Sequence, residues 1–216
     1  MKNKYKLALS IIMGYLILAG CIQRNAQQMD ISAKSTEELI QLLEDPNDPN
    51  NLFAAITTEL ANRGSSASKS APALAKALTY PRRDSYLAGF ALIAIGPDAK
   101  SVIPILVSEL SHERTTVRRY AALSLGSIGK PAECSIPQLA TLLWHSDSDT
   151  RVAASIAIDA ITGINLVDPE AKLDPKTIGV MPIDEPEGVL SDPAKEWWVT
   201  TGENLDWPKD NCLSTN

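Results

Sequence analysis

The chain has 216 residues with 20 basic and 26 acidic side chains, a net charge of −6, and only 5% aromatic residues. That length supports one sizeable core. The acidic balance and the lack of clustered Lys and Arg exclude a basic groove for nucleic acid, and the Ala- and Leu-rich middle favours helices.

Residues 1–20 read as a cleaved export signal. Lys2, Lys4 and Lys6 form a basic start, and Leu7 to Leu18 is a twelve-residue apolar stretch, too short to span a membrane. The run Leu18-Ala19-Gly20-Cys21 resembles the lipobox of bacterial lipoproteins. The resemblance implies cleavage before Cys21, a lipid on its thiol, and a protein tethered to a membrane of the bacterial cell envelope, facing the periplasm or the exterior. The alternative is a plain secretory signal with a chance cysteine. Removing residues 1–20 leaves 17 basic against 26 acidic side chains, a mature charge of −9.

Residues 21–34 read as a tether, and residues 35–164 as a repeat domain. Pro72, Pro104 and Pro137 recur at spacings of 32 and 33, as do Gly64, Gly96 and Gly129, with Gly163 another 34 on. Each period reads as two helices. Helix A carries its proline in the first turn, where the missing N–H costs least. Helix B ends at glycine, which suits a left-handed C-cap. Small residues at 88/121/154 and 91/124/157 allow close helix approach, and large apolar residues at 92/125/158 and 95/128/161 fill the seams. The first unit is the most degenerate: Ser35 and Glu38 suit a capping box, Glu37 to Leu43 is its helix A, and Asn51 to Asn62 its helix B. Such hairpins bury their apolar faces only by stacking.

The phrase Thr116-Val117-Arg118-Arg119-Tyr120-Ala121-Ala122-Leu123-Ser124-Leu125-Gly126-Ser127-Ile128-Gly129 resembles the second helix of HEAT-like repeats, particularly the short bacterial type also found in phycobilisome lyases. The resemblance covers about residues 36–164. It implies an all-α fold, a right-handed α-solenoid of about four helical hairpins. Ile161-Thr162-Gly163, an acidic stretch and Glu196-Trp197-Trp198 are similar to the terminal segment of many bacterial HEAT-repeat proteins, here with a longer insertion between the halves.

Residues 165–216 form an acidic, Pro-rich irregular tail, with four lysines against eleven carboxylates. Ser191 to Thr200 is expected as a short helix presenting Trp197 and Trp198. With Trp207, these either cap the apolar end of the last repeat or anchor a partner. Once Cys21 is assigned to lipid, Cys134 and Cys212 are either bridged or separate thiols.

Catalytic chemistry is scarce. The two histidines, His112 and His145, lie 33 apart near the turns between helices A and B. One His112-Glu113 dyad falls short of the four that a HEAT-repeat di-iron hydroxylase uses, so no metal site is expected. No nucleophile has patterned His and acid partners, and no phosphate loop or paired-cysteine zinc pattern occurs. No cofactor is implied. What remains is the helix B face that HEAT repeats turn to their concave side. Here it carries Tyr86, Phe90, Arg119, Tyr120, Leu123 and Ile156, apolar and partly aromatic where a solvated face would be polar. Either the helical phase differs and several of these are core, or the acidic tail covers them, or the stripe binds an unknown protein or peptide. The leading expectation is a non-enzymatic, membrane-anchored interaction scaffold. The alternatives are an accessory enzyme or maturation factor, lyase-like, acting on a bound client, and a purely structural envelope component.

Overall fold

A computed structural model of the chain describes residues 31–45, 52–164, 192–208 and 212. The expected export signal, the expected lipidation site Cys21, most of the expected tether and residues 165–191 of the tail lie outside the described residues. Every regular element among those described is helical. Four hairpins follow one another: α1 (Thr36–Leu43) with α2 (Phe53–Arg63), α3 (Ala71–Leu78) with α4 (Tyr86–Ile95), α5 (Ile103–Glu109) with α6 (Thr115–Ile128), and α7 (Ile136–Leu142) with α8 (Ser148–Thr162). A further helix, α9 (Asp192–Thr200), lies in the tail. The second helices pack in series, α2 on α4, α4 on α6 and α6 on α8, each also packing on its own hairpin partner. The molecule is an α-solenoid.

The sequence positions explain the stacking. Ala88, Ala121, Ala154, Ala91, Ser124 and Ala157 are all fully buried, as are Leu92, Leu125 and Ile158. Small side chains bring helix axes together, and the large ones then fill the space between hairpins. The closest approaches need glycine. A Cβ on Gly126 would lie 2.9 Å from the Cα of Ala157 on α8. The apolar run Tyr86–Glu109 is long and apolar enough to cross a membrane, by length and composition alone. Its apolarity serves the core, where Ile95, Val102, Ile103 and Leu106 are buried.

Prolines 72, 104 and 137 occupy the first turns of α3, α5 and α7. The helix ends depart from expectation. Gly64, Gly96 and Gly129 have φ of 53°, 64° and 73° but ψ near −130° to −141°, outside the left-handed helical well. That conformation, open only to glycine at low cost, turns the chain into a 3₁₀ segment of six or seven residues before the next hairpin: Gly64–Ser70, Gly96–Val102 and Lys130–Ser135. Only Gly163, with φ 70° and ψ 20°, is a left-handed cap. No hairpin follows it among the described residues.

At the other end, Ser35 and Glu38 form the expected capping box, with Glu38 N–H donating to Ser35 Oγ and Ser35 N–H to the Glu38 carboxylate at 2.7 Å. These bonds from Ser35 hold the Glu38 carboxyl below its ordinary range. The last residues of the expected tether belong to the stack instead. Ile31 is buried, and Arg63 donates to the carbonyls of Ser32 and Lys34.

Candidate functional site

The residues expected on the binding stripe come from α4, α6 and α8, and the structure brings the first four together. The rings of Tyr86, Phe90 and Tyr120 form a triangle with centroid separations of 5.9, 6.0 and 5.2 Å, within the range of favourable aromatic packing. The Arg119 guanidinium lies 5.6 Å from the Tyr120 ring centroid, a cation–π distance. Its Nη1 reaches Asp149 Oδ2 on α8 at 3.4 Å, and its Nε is buried without a hydrogen-bond partner.

Exposure divides the stripe. Tyr86 is 36% exposed, and Phe90, Arg119 and Ile156 are half-buried. Tyr120 and Leu123 are 5% and 4% exposed and belong to the core. The expectation of a surface anchor at these two positions is corrected accordingly. Tyr120 is drawn inward because α4 offers it bare backbone: a Cβ on Gly89 would lie 2.6 Å from Tyr120 Cβ. Leu123 belongs to an inner hairpin, with Phe90 and Ile156 at the same repeat position on either side, all packed on one core. Burial holds the Tyr120 phenol above its ordinary range; Arg119 opposes this and Tyr86 adds to it.

The histidines and the arginines 33 apart have a different task. His112 Nδ1 accepts from Arg114 N–H, and His145 Nδ1 accepts from Asp147 N–H, both at 3.0 Å. Arg118 Nη1 donates to the carbonyls of His112 and Glu113, and Arg151 Nη1 to those of His145 and Ser146. Each pair braces one turn between helices A and B by supplying donors to the carbonyls of the turn itself. The second hairpin has Thr79 and Ser85 at the two positions. There Arg114 of the next hairpin supplies the bonds, donating to the Thr79 and Tyr80 carbonyls at 2.6 and 3.0 Å.

Two features were not anticipated. Trp144, in the turn before α8, is 52% exposed. A cavity of about 790 Å³ opens between the first two hairpins, with Leu42, Leu43, Phe53, Tyr80, Arg82 and Asp84 among its walls. Arg82 stacks 4.0 Å above the Phe53 ring and pairs with Asp84 at 2.6 Å. Among the described residues no three His, Cys, Asp or Glu side chains group at metal-binding distance.

In the tail, Trp197 packs against Trp198 and Trp207, each at 6.2 Å between ring centroids. Gly202 sits beneath them, where a Cβ would lie 2.7 Å from the Trp198 ring, and Trp207 Nε1 donates to the Gly202 carbonyl at 2.9 Å. Cys134 and Cys212 are joined, with Cα atoms 5.7 Å apart. Nothing in the spacing of the tryptophans marked Gly202 as the residue that lets them close.

The family described as HEAT repeats matches residues 72–159, which take in the second hairpin to most of the fourth. No curated protein matches the sequence. Among solved structures, an engineered protein determined by a structural genomics consortium is similar at 20% identity, covering 62% of this chain and 70% of its own, with a TM-score of 0.46.

Proposed function

We propose that this chain is a lipid-anchored scaffold of the bacterial cell envelope that holds another protein against the second-helix face of its HEAT-type repeats. The observation that carries the reading is the aromatic triangle of Tyr86, Phe90 and Tyr120. Its inner ring is locked in the core, while Tyr86 and Phe90 keep exposed area. An anchored aromatic with a guanidinium beside it is the composition that concentrates binding energy at protein interfaces. A rigid support reduces the entropy lost on binding. The scaffold is non-enzymatic in this reading, with Tyr86, Phe90, Arg119 and Ile156 as contacts and Tyr120 and Leu123 as their support.

Export and anchoring rest on Lys2, Lys4, Lys6, the apolar stretch to Leu18 and the Leu18-Ala19-Gly20-Cys21 run. A bridged Cys134–Cys212 pair supports the same location, because disulfides persist in oxidising compartments. The test replaces Cys21 with Ser and follows the protein through membrane fractionation, with crosslinking in native cells to capture the partner. Anchoring requires the variant to leave the membrane fraction or to retain its signal; a variant that still pellets with membranes and is processed normally refutes it. The binding face requires that Tyr86→Ala reduce capture at unchanged thermal stability.

A further inference from the structure

We propose that the C-terminal tryptophan unit is a removable cap on the last hairpin, latched by the Cys134–Cys212 bridge and released by a dithiol reductant.

Gly89, Ala122 and Ser155 occupy one repeat position, 33 residues apart. At Gly89 this position faces the following hairpin, since a Cβ there would meet Tyr120 of α6. On α8 the same position is Ser155, and no fifth hairpin follows among the described residues. An open end would leave Ser155 in solvent. It is fully buried instead, with its hydroxyl lacking a hydrogen-bond partner. Besides α6, α7 and the turn Lys130–Ser135, which belong to the repeat body, α9 packs on α8. Ala194 of α9 is fully buried, and Trp197, Trp198 and Trp207 lie against the core. The tail unit thus takes the place of a missing repeat.

Its cohesion is largely its own, in three indoles around Gly202 and the Trp207 hydrogen bond. Along the chain, 27 residues separate Ile164 from Asp192. A connection that long holds the cap near α8 only at modest effective concentration. The bridge supplies a second, covalent tie, from the cap to the turn Lys130–Ser135 of the repeat body. Cys134 is 4% exposed and Cys212 is half-buried, so an attacking thiolate meets Cys212 Sγ first. The S–S bond breaks, Cys134 leaves as thiolate and takes a proton, and a mixed disulfide forms on Cys212. The second thiol of the reductant resolves it, freeing Cys212 as a thiol and leaving the reductant as a disulfide, with two electrons transferred. With the latch open, the cap departs, and α8 presents the face on which an inner hairpin receives its neighbour.

The experiment uses the full chain carrying Trp144→Phe, so that the three remaining tryptophans all report on the cap. Emission, hydrophobic-dye binding and helical circular dichroism are recorded before and after dithiothreitol, and again after reoxidation. The expected result is a red shift and a gain in dye binding, with the helical signal of the repeats retained and the changes reversed on reoxidation. Cys212→Ser should show the shifted state without reductant. Unchanged emission and dye binding after reduction would overturn the proposal, because the cap would then be held by its own packing. Loss of the helical signal would overturn it as well, by making the bridge a support of the whole stack.

Discussion

Gly89 and Tyr120 fit together as a groove and its filling: α4 has no Cβ at the point where the tyrosine side chain of α6 crosses it, and one placed there would lie 2.6 Å from Tyr120 Cβ. The contact sets how closely the second and third hairpins approach, and it pulls Tyr120 out of solvent. Gly89→Ala therefore forces α4 and α6 apart or displaces the ring. Overpacking of this kind costs about 1–3 kcal/mol, while the better helix propensity of Ala returns about 1 kcal/mol. A net fall in melting temperature is expected, relieved in the double variant Gly89→Ala/Tyr120→Ala relative to the sum of the single changes. Additive losses in a double-mutant cycle would show that the two residues do not share the contact.

The turn braces make a second prediction. Arg118 is 8% exposed and donates to two carbonyls, to Thr115 Oγ1 and, at 3.4 Å, to Thr150 Oγ1. Arg118→Met keeps much of the packing volume but takes a charged donor from two part-buried carbonyls, at about 1–3 kcal/mol. Arg118→Lys should recover only part of that, since one ammonium cannot reproduce the planar fork. Arg114→Met should destabilise the second hairpin in the same manner, because its bonds go to Thr79 and Tyr80. Chemical denaturation of the three variants checks this. Equal stability of Arg118→Lys and the parent would refute the bidentate role.

Tyr120 gives a pH dependence. Burial raises its phenol above the ordinary value in the folded state. In the unfolded chain the phenol titrates near its ordinary pKa of about 10. Above that pH the unfolded state binds fewer protons than the folded one, so stability falls as pH rises toward the folded value. Thermal melts from neutral to about pH 11 should show this decline, and Tyr120→Phe should flatten it. A phenolate absorbance titration of the folded protein should contain one tyrosine ionising above its ordinary range. An unchanged alkaline slope in Tyr120→Phe would assign the loss to other groups.

The periodicity of Pro, Gly and small residues carried the hairpins, their order and the buried positions, because the 33-residue spacing is imposed by stacking itself. The capping box at Ser35 was legible for the same reason: its two residues meet locally. Other features depend on distances that no local pattern encodes. The 3₁₀ segments after Gly64, Gly96 and Gly129 arise from the ψ of those glycines, and a helix-ending Gly looks the same in sequence whichever ψ it takes. The depth of Tyr120 depends on Gly89, 31 residues earlier. Arg114 serves carbonyls of the preceding hairpin because Ser85 stands where an arginine would have served them. The cavity beside Phe53 joins side chains from two hairpins, and no motif marks it.

The last prediction separates surface from support on the binding face. Phe90, Leu123 and Ile156 share one repeat position, yet Leu123 is 4% exposed while its two counterparts are half-buried. Leu123→Ala should therefore act as a core deletion, costing about 2–5 kcal/mol of stability. Any loss of partner capture should then follow the fraction unfolded. Tyr86→Ala removes a ring that is 36% exposed. It should leave the melting temperature nearly unchanged and weaken capture by about 2 kcal/mol or more if Tyr86 is an anchor. Phe90→Ala lies between, since the ring both touches Tyr120 at 5.2 Å and keeps some surface. Arg119→Ala tests the polar side of the same patch. It removes a buried, unpartnered Nε along with the contact to Asp149, so the stability change is small while binding falls. Thermal melts and partner capture measured side by side on the four variants check the assignment. If Tyr86→Ala and Arg119→Ala both capture the partner as the parent does, the binding face lies elsewhere on the solenoid.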